Sequence, residues 1–519
     1  MEKSKIYELY NAAGCHFENK EYDKALELIN LILNDDKSLP NANNLKAIIL
    51  IESWDRKQET RYQISQAIDH LKIAIKSNPN IGQYHYNLGN AWYVLAISEN
   101  EKNKCKYTPE LLEKFESAKK CFGMALKLDE KSPQIWINQG NVLDYLGRYL
   151  EALECYDRAI LLNPRHYNAW GNRGIACWRL ARKCPDQCTK NCLNKNGTIY
   201  LGIELCLFPD FQMDQKTTEN VYNLLSKHKI SIDLDSHLKD FLPKKRFLLN
   251  QGFNFYSENG NNFESFYVEF CEQNQLFLNL LFDCKDHKCK NKDLLNIKFH
   301  ASIDDKSRAY EISTRWKSLI DNFKTARFYL ALAQFKHQDF AFLNKPRYDS
   351  DYSMNYLTNI EILKTSFLMA MNIFDKIAFF LNEYENLEID DSKVAFWGSN
   401  SIFTVKKSLI TDNNWQIDLM ALVGIKRELD TEDFKRLLDV RHFLVHRYFV
   451  LHDPIFKKDE IQVNDNPQYH MDVNEFFNKT ILTLRIVRNA LFSLSFFVAS
   501  KESKIESNVE FRNGKSKDV

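Results

Sequence analysis

An all-helical chain is predicted by three observations. Glycine (15) and proline (11) are scarce among 519 residues while phenylalanine (36) and tyrosine (24) are abundant, a balance that favours long helices over strand-and-turn architecture. Small and aromatic residues repeat at a period of about 34 positions through the first third. Long amphipathic segments return beyond residue 305. At about 150 residues per domain the length suggests roughly three domains, and the expected division is 1–183, 184–304 and 305–505, with a polar tail at 506–519.

The first division rests on spacing. Trp136-x3-Gly140-x6-Gly147-x-Tyr149-x2-Ala152-x3-Tyr156-x2-Ala159-x4-Pro164 puts small residues where two helices would cross closely and a proline where the second would end. Another copy starts with Trp170 and Gly174. An earlier one has Leu88, Gly89 and Trp92, then Ala118, Phe122 and Ala125 after an inserted loop expected at 98–115. Weaker copies carry Tyr22 and Ala25, then Ala67, Ala74 and Pro79, the latter with an insertion near 52–64. This pattern closely resembles the tetratricopeptide repeat, which implies a helical solenoid whose concave face takes a protein or peptide; a spacer or dimerisation scaffold is the alternative.

The middle division holds the soft metal ligands. Cys184, Cys188 and Cys192 recur every four residues, and Cys284, His287 and Cys289 follow. Together they could supply a tetrahedral zinc site, yet neither group has the paired C-x2-C spacing of zinc ribbons, so ordinary thiols are the main expectation and no cofactor is assigned. Residues 197–300 have weaker helical periodicity than their flanks and are expected to form a connecting region with some strand.

The third division carries four or five long amphipathic segments, enough for a bundle. One of them, LLDVRHFLVHRYFVLHDP (437–454), sets Arg441, His442 and His446 among apolar residues. An unpaired buried guanidinium costs several kcal/mol, on the order of a lost buried ion pair, so Arg441 must meet an anion, a partner or water. Arg447 and His452 make a second Arg-x4-His pair, but His452 adjoins Asp453-Pro454, where a helix should stop.

Arg441-x4-His446 with polar His442 after the arginine resembles the signature of the HEPN superfamily, over roughly residues 305–505. The resemblance implies a helical bundle, metal-independent RNA cleavage to a cyclic phosphate, and dimerisation that brings two motifs across one cleft. Tyr448 extends the match to Arg-x4-His-x-Tyr, similar to HEPN toxins in which a partner nucleotidyltransferase modifies the tyrosine. Cleavage without metal needs a base, an acid and a cation for the phosphate. His446 fits the acid and base role, Arg441 the phosphate, and His442 a supporting one. On one helix Arg441 and His446 lie about 140° apart, so a second copy is expected to complete the site. The alternatives are an inert polar cluster, for instance Arg441 with Asp439, or a scaffold whose bundle only dimerises or binds nucleotide.

Lysine plus arginine (70) nearly cancels aspartate plus glutamate (69), so RNA contact requires a local patch rather than a global field. Neither a signal-peptide pattern nor about 18 uninterrupted apolar residues appears, and a cytoplasmic protein without membrane contact is the expectation. The sequence thus points to an RNA-cleaving effector, by family analogy a toxin or antiviral factor, controlled by a partner-sensing repeat array.

Overall fold

The computed structural model describes residues 2–54, 61–102, 107–184, 186–208, 215–227, 230, 232–245, 262–280, 292–299, 306–335, 357–413, 416–452 and 468–512. Helices dominate them. The chain forms two compact units, one of residues 1–176 and 197–232, the other of residues 177–196 and 233–519.

The first unit is built from antiparallel helix pairs: α1 (Lys3–Glu18) with α2 (Tyr22–Asp35), α3 (Pro40–Glu52) with α4 (Arg61–Ser77), α5 (Gly82–Lys102) with α6 (Pro109–Leu128), and α7 (Pro133–Tyr145) with α8 (Tyr149–Leu162). Parts of α9 (Tyr167–Lys183) and α10 (Gln187–Leu207) form a further pair, followed by α11 (Gln215–Lys227). Proline opens α3, α6 and α7, where its missing N–H costs nothing. The tight turn between α7 and α8 needs Gly147 at φ +75°.

The repeating small residues do what their spacing implied. A Cβ on Gly89 would stand 2.6 Å from the Phe122 ring, one on Gly140 2.6 Å from the Tyr156 ring, and one on Gly174 2.8 Å from Leu201 and from the Gly197 carbonyl. Between pairs, asparagines tie successive first helices: Asn87 donates to Asn44 (2.8 Å), Asn138 to Asn90 (2.9 Å) and Asn172 to Asn141 (2.9 Å). Arg173 and Asp157 form a buried pair at 2.7 Å, the guanidinium lying over Tyr200 at 4.3 Å. Burial without such a pairing would be strongly unfavourable.

Two expectations need correction here. The insertion expected as a loop at 98–115 is largely helix, because α5 and α6 simply run longer (21 and 20 residues) than α7 and α8 (13 and 14). Pro109 and the Thr108 side chain, which accepts from the Leu111 N–H at 3.2 Å, begin α6 inside that stretch. The region at 197–300 expected to carry some strand shows helices and irregular segments in its described residues; aromatic-rich runs there serve helical packing rather than sheet.

The second unit contains α12 (Leu234–Lys245), α13 (Phe263–Gln273), α14 (Lys306–Gln334), α15 (Leu357–Tyr384), the short α16 (Ile402–Val405) and α17 (Ser408–Asp412), α18 (Ile417–Leu429), α19 (Glu432–His446) and α20 (Val473–Arg512). The long helices α14, α15 and α20 pack together around Phe367, Phe374, Phe380, Phe476 and Leu484, all essentially buried. Two strands not foreseen from sequence, β1 (Tyr448–His452) and β2 (Gln468–Asp472), pair in parallel with Tyr448 opposite Gln468. Asp472 then caps α20 by accepting from the Asn474 and Glu475 N–H groups. By length and composition Val473–Lys504 could cross a membrane, but 83% of its most apolar window is buried within the protein, the pattern of a core helix.

Replacing Gly140 with alanine is expected to destabilise the array by about 1–3 kcal/mol, because Tyr156 must move to admit the methyl group. Chemical denaturation of the variant would read this as a lowered midpoint.

Candidate functional site

Helix α19 begins after Thr431 and buries Leu437 and Val440. That phase decides where the polar residues of the motif go. Arg441 is turned toward α15, where its Nη2 donates to Asp375 at 3.1 Å and to Asn372 at 3.2 Å. The Trp397 ring lies 5.1 Å from the guanidinium, and the Arg441 Nε is buried without a hydrogen bond to a described residue. The anion that Arg441 required is therefore Asp375, not Asp439, which is exposed.

Burial pushes the Asp375 carboxyl up from its ordinary value, against the pull of Arg441 and of the Phe396 N–H. That N–H donates to Asp375 at 3.5 Å, so one carboxylate holds both the arginine and the loop carrying Trp397. The loop closes on itself through Ile402 N–H to the Ala395 carbonyl (2.8 Å) and the Ser401 hydroxyl to the Phe396 carbonyl (2.6 Å). Its tip, Gly398 at φ +74°, donates to Asp430 at 3.0 Å, and Asp430 also pairs with Lys426 at 2.6 Å. Gly398, Ser399, Lys426, Asp430 and Leu438 line an open cavity of about 470 Å³ behind this tip, and neither histidine of the motif reaches it.

His442 and His446 stand on the other side of α19. Both are exposed, their rings 5.0 Å apart, as residues four apart on one helix must be. The helix ends at His446, earlier than the apolar run implied. Arg447 is its extended, exposed C-cap, packed over Phe443 at 5.5 Å, and Tyr448 opens β1. Val445, one of the apolar residues of the 437–454 segment, is 54% exposed beside the histidines. The structure thus joins His442 with His446 and sends Arg441 to a separate anchorage. Sequence reading missed Asn372, Asp375 and Trp397; the only available signal was Asp375 itself, followed by Lys376, in the mostly apolar stretch at 366–381.

The weaker metal candidates do not assemble among the described residues. No three Cys, His, Asp or Glu side chains there converge in a manner suited to a metal ion. Cys184 is half-buried, and burial holds its thiol above the ordinary value, while Cys188 is exposed. Cys284, His287 and Cys289 lie outside the described residues.

Residues 303–501 match the LA2681-like HEPN family, and residues 133–166 match the tetratricopeptide repeat. The chain is a tetratricopeptide-repeat protein with a C-terminal HEPN domain. The HEPN match covers the stretch that contains Asp375, Trp397, Arg441 and His446. Tetratricopeptide repeat-containing protein trd-1 of Caenorhabditis elegans is 26% identical over 147 residues, 26% of this chain and 19% of its own length. Human tetratricopeptide repeat protein 5 is 25% identical over 124 residues, 23% of this chain and 26% of its own. The matched stretch spans about a quarter or less of each relative. Among solved structures, a thermophilic TPR protein of Thermus thermophilus is 14% identical and covers 42% of this chain and 98% of its own, with a TM-score of 0.32.

The Arg441–Asp375 contact is partly solvated, with side chains 30% and 24% exposed, so its coupling should be about 1 kcal/mol. A double-mutant cycle of Arg441→Ala and Asp375→Ala, followed by denaturation, checks this; additive effects would mean that the pair does not anchor α19 on α15.

Proposed function

We propose that the HEPN domain is a metal-independent endoribonuclease and that the repeat array binds a protein or peptide that controls it. The observation that carries this reading is the exposed His442–His446 pair at the end of α19, within the same motif as a clamped Arg441. Imidazoles open to solvent near neutral pH suit proton transfer to and from RNA oxygens. An arginine fixed in a rigid setting suits the charge that develops on phosphate.

In this reading His446 exchanges protons with the 2′-hydroxyl and the leaving 5′-oxygen, Arg441 holds the phosphate, and His442 supports the substrate. Arg441 and His446 of one copy point to different sides of α19, so a homodimer supplies the missing group from its second copy. The exposed Val445 beside the histidines suits such a contact. Arg447, exposed next to His446, adds a cation for the RNA backbone. Modification of Tyr448 and a toxin or antiviral role in the cytoplasm follow only by analogy with the family. A repeat-based adaptor with a dimerising bundle is the rival reading.

Purified protein incubated with total RNA and EDTA is expected to cleave it, and Arg441→Ala or His446→Ala to lose about 10²- to 10⁴-fold in rate. Undiminished cleavage by both variants, or none by the native protein, would favour the adaptor. Mixing the two inactive variants should restore part of the activity through mixed dimers, and a mixture that stays inactive would count against a site shared between copies.

A further inference from the structure

The last helical pair of the array departs from the pattern of its predecessors. Gly89, Gly140 and Gly174 each receive an aromatic or leucine side chain from the second helix: Phe122, Tyr156 and Leu201. Three positions before those glycines stand Tyr86, Ile137 and Gly171; three positions after their partners stand Ala125, Ala159 and Glu204. Where earlier pairs set a larger residue against alanine, the last pair sets a carboxyl against glycine. The exchange is steric as well as chemical. A Cβ on Gly171 would lie 2.1 Å from the Glu204 carboxyl carbon and from both of its oxygens, so the carboxyl occupies the space of the missing side chain.

Glu204 is only 4% exposed, and its carboxyl forms no hydrogen bond or ion pair with any described residue. Arg173, two positions beyond Gly171 on α9, is already held by Asp157 and the Tyr200 face. Among the described residues, the side chains at this crossing include Trp170, Tyr200 and Leu201, with Leu225 and Ile232 packed over Gly202; none of these bears a charge at neutral pH. A buried carboxylate without a cation is unfavourable, whereas the protonated acid is tolerated.

We propose that Glu204 is a proton-binding site that makes closure of the α9–α10 pair depend on pH. Burial raises its carboxyl to about 7, with no charged neighbour contributing among the described residues, so the change falls near neutrality. The folded pair holds the proton more tightly than the unfolded chain. Its stability is therefore greatest in acid, falls as pH rises through the range between the unfolded value of 4.5 and about 7, and levels off above that.

The experiment uses the full-length protein and hydrogen exchange of the α9 and α10 amides between pH 5 and 8.5, corrected for intrinsic exchange, beside Glu204→Gln. Relative to that neutral isostere, the native pair should open more by up to about tenfold per pH unit between pH 5 and 7, then no further. A difference independent of pH would overturn the proposal, as would greater protection of the native pair at pH 8. The packing is checked independently by Gly171→Ile alone and with Glu204→Ala. The single variant should expose α9 and α10, and the double variant, which restores the Ile137 and Ala159 arrangement, should regain protection and lose the pH dependence. A carboxyl titration of Glu204 by NMR with a midpoint near 4.5 would refute the site even if every variant failed to fold.

Discussion

A guanidinium set among apolar residues is the constraint around which the motif helix α19 and its neighbours are arranged. Arg441 cannot be buried against α15 without an anion, and Asp375 supplies it at 3.1 Å. Asp375 in turn cannot stay ionised in a largely buried position without donors, and the Phe396 N–H joins Arg441 in that role. The loop so attached carries Trp397 over the guanidinium face. Its glycine tip is tied separately to Asp430. Removing the carboxylate would therefore take a contact from an arginine and from a loop together, although each belongs to a different part of the chain.

The same anchorage fixes what remains available on α19. With Leu437 and Val440 inward and Arg441 against α15, residues 442, 445 and 446 are left facing solvent. The helix stops at His446 because the chain becomes extended at Arg447 and enters the β1–β2 pair. Two imidazoles and a valine consequently share an uncovered surface. Within one copy that surface lacks the arginine of its own motif, which is held by Asp375 instead.

Legibility differed between the two halves for a physical reason. Each repeat is a local unit, and Gly140 meets Tyr156 only 16 residues away in the chain, so spacing alone reported the contact. The same locality misled where α5 and α6 lengthened, since an insertion that continues a helix leaves no break in periodicity to distinguish it from a loop. Glu204 was equally hidden, because one polar residue in the apolar last turns of α10 does not announce that a glycine 33 positions earlier makes room for it. In the HEPN domain the relevant contacts span longer distances, such as Asp375 to Arg441, and no period connects them.

By itself the sequence determined the helical class, the repeats and the motif, because these depend on composition and on short spacings that one or two helices can satisfy. Which anion Arg441 finds, which side of α19 carries the histidines, and where that helix ends were decided by tertiary packing. Those outcomes depend on α15, the Trp397 loop and the β1–β2 pair meeting α19 in space. An electrostatic requirement can be read from a chain, but the group that satisfies it is chosen by the fold.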